Sequence, residues 1–512
     1  MQTLDLIIIF GYLIGITAFG IWFSGKQETT EDYFVGDRNV PWWAIAMSIV
    51  ATETSTITFV SVPGVAFAKG GNFQFLQLVF GYMLGRVVIS FIFIPMYFKG
   101  ELQTVYQLLG DRFGSKVKML ASGLFVVMRN IADGIRLLLT AFVLAAVYAS
   151  FNPGSDPTTI IIGSIILLGI VMIVFTFYGG MEAVIWIEVV QLVIYIGGAI
   201  AAAVVLIQNI DGGLSTMFSV GSQFDKFDVF DFTLDFAKTY TFWGGLIGGC
   251  FLTMSTHGTD QYLVQRYLCT SKPASASTAL LTSGAVVLAQ FIGFLFIGVL
   301  LFAFYAPFNS PEYAQAGVAG SGVPGTFPFA KPDQVFPNFI TEHMPAGLSG
   351  LVVAAIFAAA LSSSLNSIAA TAINDLYKPF AKNISDKKLL KLSGFLTVII
   401  GIIQIIVAIA FMATGESALN LALSVASIFN GPVLGVFLVG TFLKRAKETH
   451  ALAGMLASMA LMIYILLAFN GIVAGPRIAW PWYALIGSLV TFAVAFLASL
   501  IIRTENNDEV LN

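Results

Sequence analysis

The chain has 512 residues, 57% of them hydrophobic and only 10% charged, with a formal net charge of −3. Soluble domains carry about 25% charged residues, so this composition excludes an ordinary soluble protein. The mild acidity, and the lack of a basic stripe or a phosphate-cradling glycine loop, argue against a nucleic-acid partner.

Apolar runs of the ~20 residues needed to cross a bilayer recur along the whole length. In chain order they predict an all-α polytopic membrane protein of about 13 spans. The spans lie near 4–23, 42–64, 73–97, 117–149, 159–178, 183–207, 240–258, 279–305, 346–371, 392–412, 417–443, 450–469 and 482–502. The first run lacks a basic n-region and a cleavage site, so it reads as a retained helix rather than a signal peptide. The second span contains Ala51-Thr52-Glu53-Thr54-Ser55-Thr56-Ile57-Thr58, a polar and β-branched stretch that makes a poor continuous helix. An unwound segment there would free backbone carbonyls for a cation. Alternatively, the hydroxyls bond back to their own helix. The fourth span carries Arg129, Asp133 and Arg136, spaced to share one helical face. A charge in a spanning helix costs at least ~2.5 kcal/mol, so these groups point to a wet interior. The seventh span opens Trp243-Gly244-Gly245 and continues to Gly248-Gly249. It reads as a second interrupted helix, or as a site of close packing. Segments 208–239 and 306–345 read as partly structured lids or caps. The tail 504–512 reads as disordered.

Alternate sides of this arrangement hold seventeen and five of the Lys and Arg residues, with Arg86, Arg129 and Arg136 inside spans. The basic side is cytoplasmic. That predicts a multi-pass protein of the cell membrane, N-terminus outside and C-terminus in the cytoplasm. Cys250 and Cys269 make no disulfide framework, and three scattered histidines show no metal-ligand spacing. No nucleophile and base pair stands out, so an enzyme is not expected. No soluble signalling domain and no obligate protein partner are evident. The implied partners are the lipid bilayer and a small polar or carboxylate-bearing solute.

Four stretches resemble the sodium:solute symporter family. Glu31-Asp32-Tyr33-Phe34 with Pro41-Trp42-Trp43-Ala44 is similar to its entry to a broken helix. Tyr178-Gly179-Gly180-Met181 through Gln191 is similar to its fifth-helix motif, with Ile187-Glu188 where Thr-Asp is usual. Thr259-Asp260-Gln261-Tyr262-Leu263-Val264-Gln265-Arg266 resembles its cytoplasmic loop. Ser362-Ser363-Ser364-Leu365-Asn366-Ser367, ending Asn374-Asp375-Leu376-Tyr377, resembles its sodium-site helix. The resemblance implies a leucine-transporter-like 5+5 inverted repeat within a single transmembrane transporter domain, 1–512. Residues 1–41 form a peripheral first helix and inner loop. Residues 42–207 form repeat 1 and 240–443 repeat 2, with 444–512 adding two helices and a short tail.

The resemblance also implies sodium-coupled symport into the cell by alternating access, with Na+ as the coupling ion. A proton-coupled or uncoupled carrier on the same fold is the alternative. The sodium ligands carry over to Ala51, Thr54, Ala359, Ser362 and Ser363. Anchoring the ninth span on Asn366 and Asp375 instead places Ala359 and Ala360 at the hydroxyl positions. Glu188 resembles an acidic position associated with a second cation or with proton coupling. The family's sialic-acid transporters direct attention to Ser55, Thr58, Phe73 and Gln77 for substrate. Their arginine position falls on Ala132, flanked by Arg129 and Arg136. Glu53, Arg129, Asp133 and Arg136 complete the candidate substrate set, either as a cavity lining or as a permanent ion-pair network. Glu53 is expected to pair with Arg129 or Arg136, to contact substrate or to take a proton. Pairing of Arg129 with Asp133 leaves Arg136 as a surplus positive charge.

Overall fold

The computed structural model describes residues 1–501 except 24–33, 37, 55, 69, 101, 153, 179–180, 306–331, 362–363, 382–384 and 413–417. Among the described residues every regular element is helical, as hydrocarbon requires when each backbone group must be satisfied within its own segment. The first part of the chain contains α1 (Thr3–Phe23), α2 (Trp42–Glu53), α3 (Thr56–Phe67), α4 (Leu76–Ile92), α5 (Ser115–Phe151), α6 (Pro157–Tyr178) and α7 (Met181–Asn209). A connecting helix, α8 (Gly213–Gln223), leads to α9 (Gly249–Gly258), α10 (Gln261–Leu268), α11 (Pro273–Tyr305), α12 (Val335–Glu342), α13 (Leu348–Leu361) and α14 (Ser364–Thr371). The last four are α15 (Asp386–Phe411), α16 (Ala418–Phe442), α17 (Glu448–Phe469) and α18 (Tyr483–Ile501).

Nine described helices are long and apolar enough to cross a membrane. The pair α2 and α3, bent by 58° at its break, adds a tenth. Shorter apolar stretches Thr3–Ile16 and Leu348–Phe357, together with α9 and the turn before it, account for the remaining segments predicted from sequence. We call outer the side that carries 208–239. The broken span is where its polar run placed it. Thr54 caps α2 with ψ of 64°, outside the helical range.

The seventh span differs from expectation. Gly244–Gly248 form one π-helical turn that runs straight into α9, so this span is wound rather than broken. Its glycines serve contact. A Cβ on Gly245 would lie 2.6 Å from the Gln77 carbonyl carbon, and one on Gly249 2.6 Å from the Leu78 oxygen. Small residues let two backbones approach where lipid supplies no hydrophobic drive.

The packing of two spans matches. The broken span (α2, α3) packs on α11 and α7. The seventh span (α9) packs in the corresponding way on α4 and α16.

The outer layer is built, not loose. The Lys226 ammonium donates to the carbonyls of Ala66, Phe67 and Ala68 at 2.9, 3.2 and 2.7 Å, closing the C-terminal end of α3. A cation there meets the negative end of the helix dipole. Of the second expected lid, 306–331 lies outside the described residues, and 332–342 is helical. The tail from 502 also lies outside them.

The peripheral α1 contributes one strong tether. Asp5, fully buried, accepts from Gly347 N (2.7 Å), Gly350 N (2.9 Å) and Ser349 Oγ (2.7 Å), capping α13 from another helix. Replacing a cap carboxylate strands orphan helix donors. Asp5→Ala is expected to cost about 2 kcal/mol, read as a lowered thermal midpoint of the purified protein, with Asp5→Asn recovering part of the loss.

Candidate functional site

A cavity of about 190 Å³ lies beside the break of the second span. Phe75 and Phe291 line it on the outer side, ring centroids 5.1 Å apart, and Tyr240 packs 5.5 Å beyond Phe75. Asp260, Tyr262 and Leu263 line it toward the inner loop between α9 and α10. Its polar wall comes from Thr52, Glu53 and Thr58 of the broken span, Arg129 and Arg136 of α5, Thr256 and His257 of α9, and Asn430 of α16.

The charges in this wall pair across helices. Arg129 Nη2 sits 2.5 Å from Asp260 Oδ2, and its guanidinium lies 4.5 Å over the Tyr262 ring. Arg136 Nη1 reaches Asp133 Oδ1 only at 3.5 Å and the Tyr262 hydroxyl at 3.4 Å. Glu53 is bridged by Arg86 and, at 3.1 Å, by His257 Nε2. The expected pairing of Arg129 with Asp133 is therefore replaced by one with Asp260, and that of Glu53 with Arg129 or Arg136 by one with Arg86 and His257. The reason is reach. An i, i+4 pair competes with groups on facing helices, and in low dielectric the shortest contact dominates. With Arg86, Arg129 and Arg136 facing Glu53, Asp133 and Asp260, the surplus positive charge expected from α5 alone disappears. Of these three, Arg136 has the longest ion-pair contact; its Nε, like those of Arg86 and Arg129, is buried with no hydrogen-bond partner among the described residues.

Other candidates are distributed differently. Thr58 lines the cavity and donates to the Glu53 carbonyl at 3.0 Å. Phe73 packs 5.6 Å from Phe227, and Gln77 Oε1 accepts from Asp231 N at 2.8 Å, so both engage the outer layer instead of the cavity. Gln77 stands two residues, about 200° of helix, from the inward-facing Phe75. Ala51 is buried on the last turn of α2, and Thr54 caps it. Thr56 Oγ donates to the Ile356 carbonyl at 3.2 Å, which brings the break against α13, the helix of Ala359. Ser55, Ser362 and Ser363 lie outside the described residues.

Glu188 is not an open cation ligand in this conformation. Its Oε1 lies 2.5 Å from Arg266 Nη2 and its Oε2 3.2 Å from Arg266 Nε. Thr52 Oγ donates to Oε1 at 3.2 Å and Ser48 Oγ to Oε2. Both charged side chains are fully buried. Asp260 and Arg266, which the family resemblance placed in a cytoplasmic loop, join the buried charge pairs together with His257. The available signal was Arg86, a charge within a span like those of α5. Just beyond the inner end of the ninth span, burial pushes the Asp375 carboxyl up to about 6, while the Thr104 hydroxyl at 2.9 Å pulls the other way.

The sequence model of the sodium:solute symporter family matches residues 33–458. The chain belongs to the sodium:solute symporter family. Membership makes it a multi-pass membrane transporter, not an enzyme, with sodium as the coupling ion. Within the family it is 31% identical to the sodium/sialic acid symporter NanT of Aliivibrio fischeri, over 99% of this chain and 95% of that one. It is 28% identical to the human sodium/iodide cotransporter, over 89% of this chain and 68% of that one. A solved structure of a Na+-coupled sialic acid symporter, substrate-bound and outward-open, superposes with a TM-score of 0.82 at 29% identity, covering 98% of both chains. MhsT, solved with L-phenylalanine, superposes at 0.52 with 17% identity over 90% of this chain and 99% of that one, a likeness of fold alone. The expected family and fold are thus borne out.

Proposed function

We propose that this family member carries a small organic solute bearing a carboxylate and hydroxyl groups, of the sialic-acid type, into the cell together with sodium. The observation that carries this reading is Arg136. Its guanidinium lines the cavity with an ion contact of 3.5 Å, longer than those of Arg86 and Arg129, so a carboxylate can claim it in a charge-assisted pair. Glu53, His257, Thr58 and Asn430 supply acceptors and donors for hydroxyls. The likeness to sodium/sialic acid symporters supports the same class, although Ala132 stands where their arginine is expected.

Sodium, in this reading, binds where the unwound end of α2 meets α13, with ligands from Ala51, Thr54, Ala359, Ser362 and Ser363. Neutral oxygens suit a hard monovalent cation that must also leave. The Arg129–Asp260 pair and Tyr262 form the inner gate. The aromatic pair Phe75 and Phe291 closes the outer side. Glu188, held by Arg266, acts as a structural anchor of the inner half of the broken span. The charge bias supports an external N-terminus and a cytoplasmic C-terminus.

Purified protein in liposomes, given an inward sodium gradient, is expected to accumulate radiolabelled sialic acid above its external concentration. Potassium in place of sodium abolishes accumulation. An inward proton gradient that drives equal uptake without sodium would overturn the reading.

A further inference from the structure

We propose that Gln290 is a positioning residue for the sodium site, acting through Thr54. This rests on the sodium ligands proposed above. Gln290 is the one polar side chain between Ser283 and Tyr305, in the middle of α11, the helix packed on both halves of the broken span. A polar group at membrane depth is expensive to keep and tends to be functional.

Its partner is specific. Thr54 Oγ lies 2.8 Å from the Gln290 side-chain amide and 2.5 Å from the Val50 carbonyl. A hydroxyl has one proton and cannot donate to two acceptors. The contacts are reconciled when Thr54 donates to Val50 and the Gln290 NH2 donates to Thr54. In that orientation the amide oxygen, rather than the NH2, is the buried atom without a partner among the described residues. Gln290 also lines a crevice of about 300 Å³ whose other described walls are apolar, among them Ile196, Ala203, Phe294 and Ile297.

The consequence falls on the backbone. Thr54 donates its own N–H to Val50 at 2.8 Å and then leaves helical geometry at ψ of 64°. That torsion sets the direction of the Thr54 carbonyl. With the side chain pinned on both sides, the carbonyl is held ready for the ion. Without Gln290, one of the two pins is lost and the unwound residue samples other torsions, so sodium must bind and reorder it.

The test is the sodium activation curve of sialic acid uptake in liposomes. Gln290→Leu is expected to raise the half-saturating sodium concentration roughly three- to tenfold, the worth of one neutral hydrogen bond. The maximal rate at saturating sodium stays within about twofold. Thr54→Val, which keeps shape and removes both pins, gives a shift at least as large. The double variant is no worse than Thr54→Val alone, the mark of one shared interaction. A Gln290→Leu curve that overlays the wild type overturns the proposal, as does a double variant whose shifts multiply. Wild-type uptake indifferent to sodium is a separate result. It removes the sodium-site reading, and this inference with it.

Discussion

Arg266→Met is expected to destabilise the folded transporter by ~3–5 kcal/mol, the usual cost of stranding a buried charge. Arg266 and Glu188 are both fully buried, so the partner left behind is an uncompensated buried charge. Arg266 also holds the Tyr262 carbonyl and Ser48 Oγ, the latter at 3.0 Å, so one guanidinium ties α10, α7 and α2 together. The expected readout is a large fall in the thermal midpoint and in the yield of monodisperse protein. Glu188→Gln combined with Arg266→Met removes both charges and is expected to recover most of the loss, because a buried pair contributes far less than a broken one costs. If the double variant falls by the sum of the two singles, the charges do not interact and the anchor assignment is wrong.

The second large effect falls on affinity. Arg136→Ala is expected to weaken binding of a carboxylate-bearing solute by roughly thirtyfold to a few thousandfold. Truncating one member of a desolvated charge pair costs about 2–5 kcal/mol, and each 1.4 kcal/mol is tenfold. Arg129→Ala separates the two arginines. Its guanidinium is already committed to Asp260, so its loss loosens the inner gate and lowers the transport rate more than the affinity. If Arg129→Ala weakens binding and Arg136→Ala does not, the two roles are exchanged, and the carboxylate sits about two turns nearer the inner loop.

The spans and the break at Thr54 were legible because each rests on local chemistry. A run of apolar residues has one good solution in a bilayer, and Thr52 through Thr58 interrupts one such run with groups that compete for its helix bonds. The glycines of the seventh span were ambiguous for a physical reason. Glycine both weakens a helix and permits contact, and the choice between them depends on whether another backbone, here that of Gln77 and Leu78, lies alongside. The charge pairings were not legible. Asp133 is four residues from Arg129 and three from Arg136, yet Asp260, more than a hundred residues away, takes Arg129. Only the packing of α5 against the start of α10 decides that. Phe73 and Gln77 show the same limit, since the packing turns Phe75 and Tyr82 to the cavity and leaves Gln77 about 200° away around the helix.

In the proposed mechanism a cation and a solute stabilise each other beside one broken helix. Equilibrium binding of sialic acid to purified protein, measured in sodium and again in potassium, tests that directly. Coupling of this kind is reciprocal and typically 5–150-fold. Binding at least about fivefold tighter in sodium, with sodium binding strengthened equally by sialic acid, is the predicted result. Sialic acid that binds with the same affinity in both salts would contradict it.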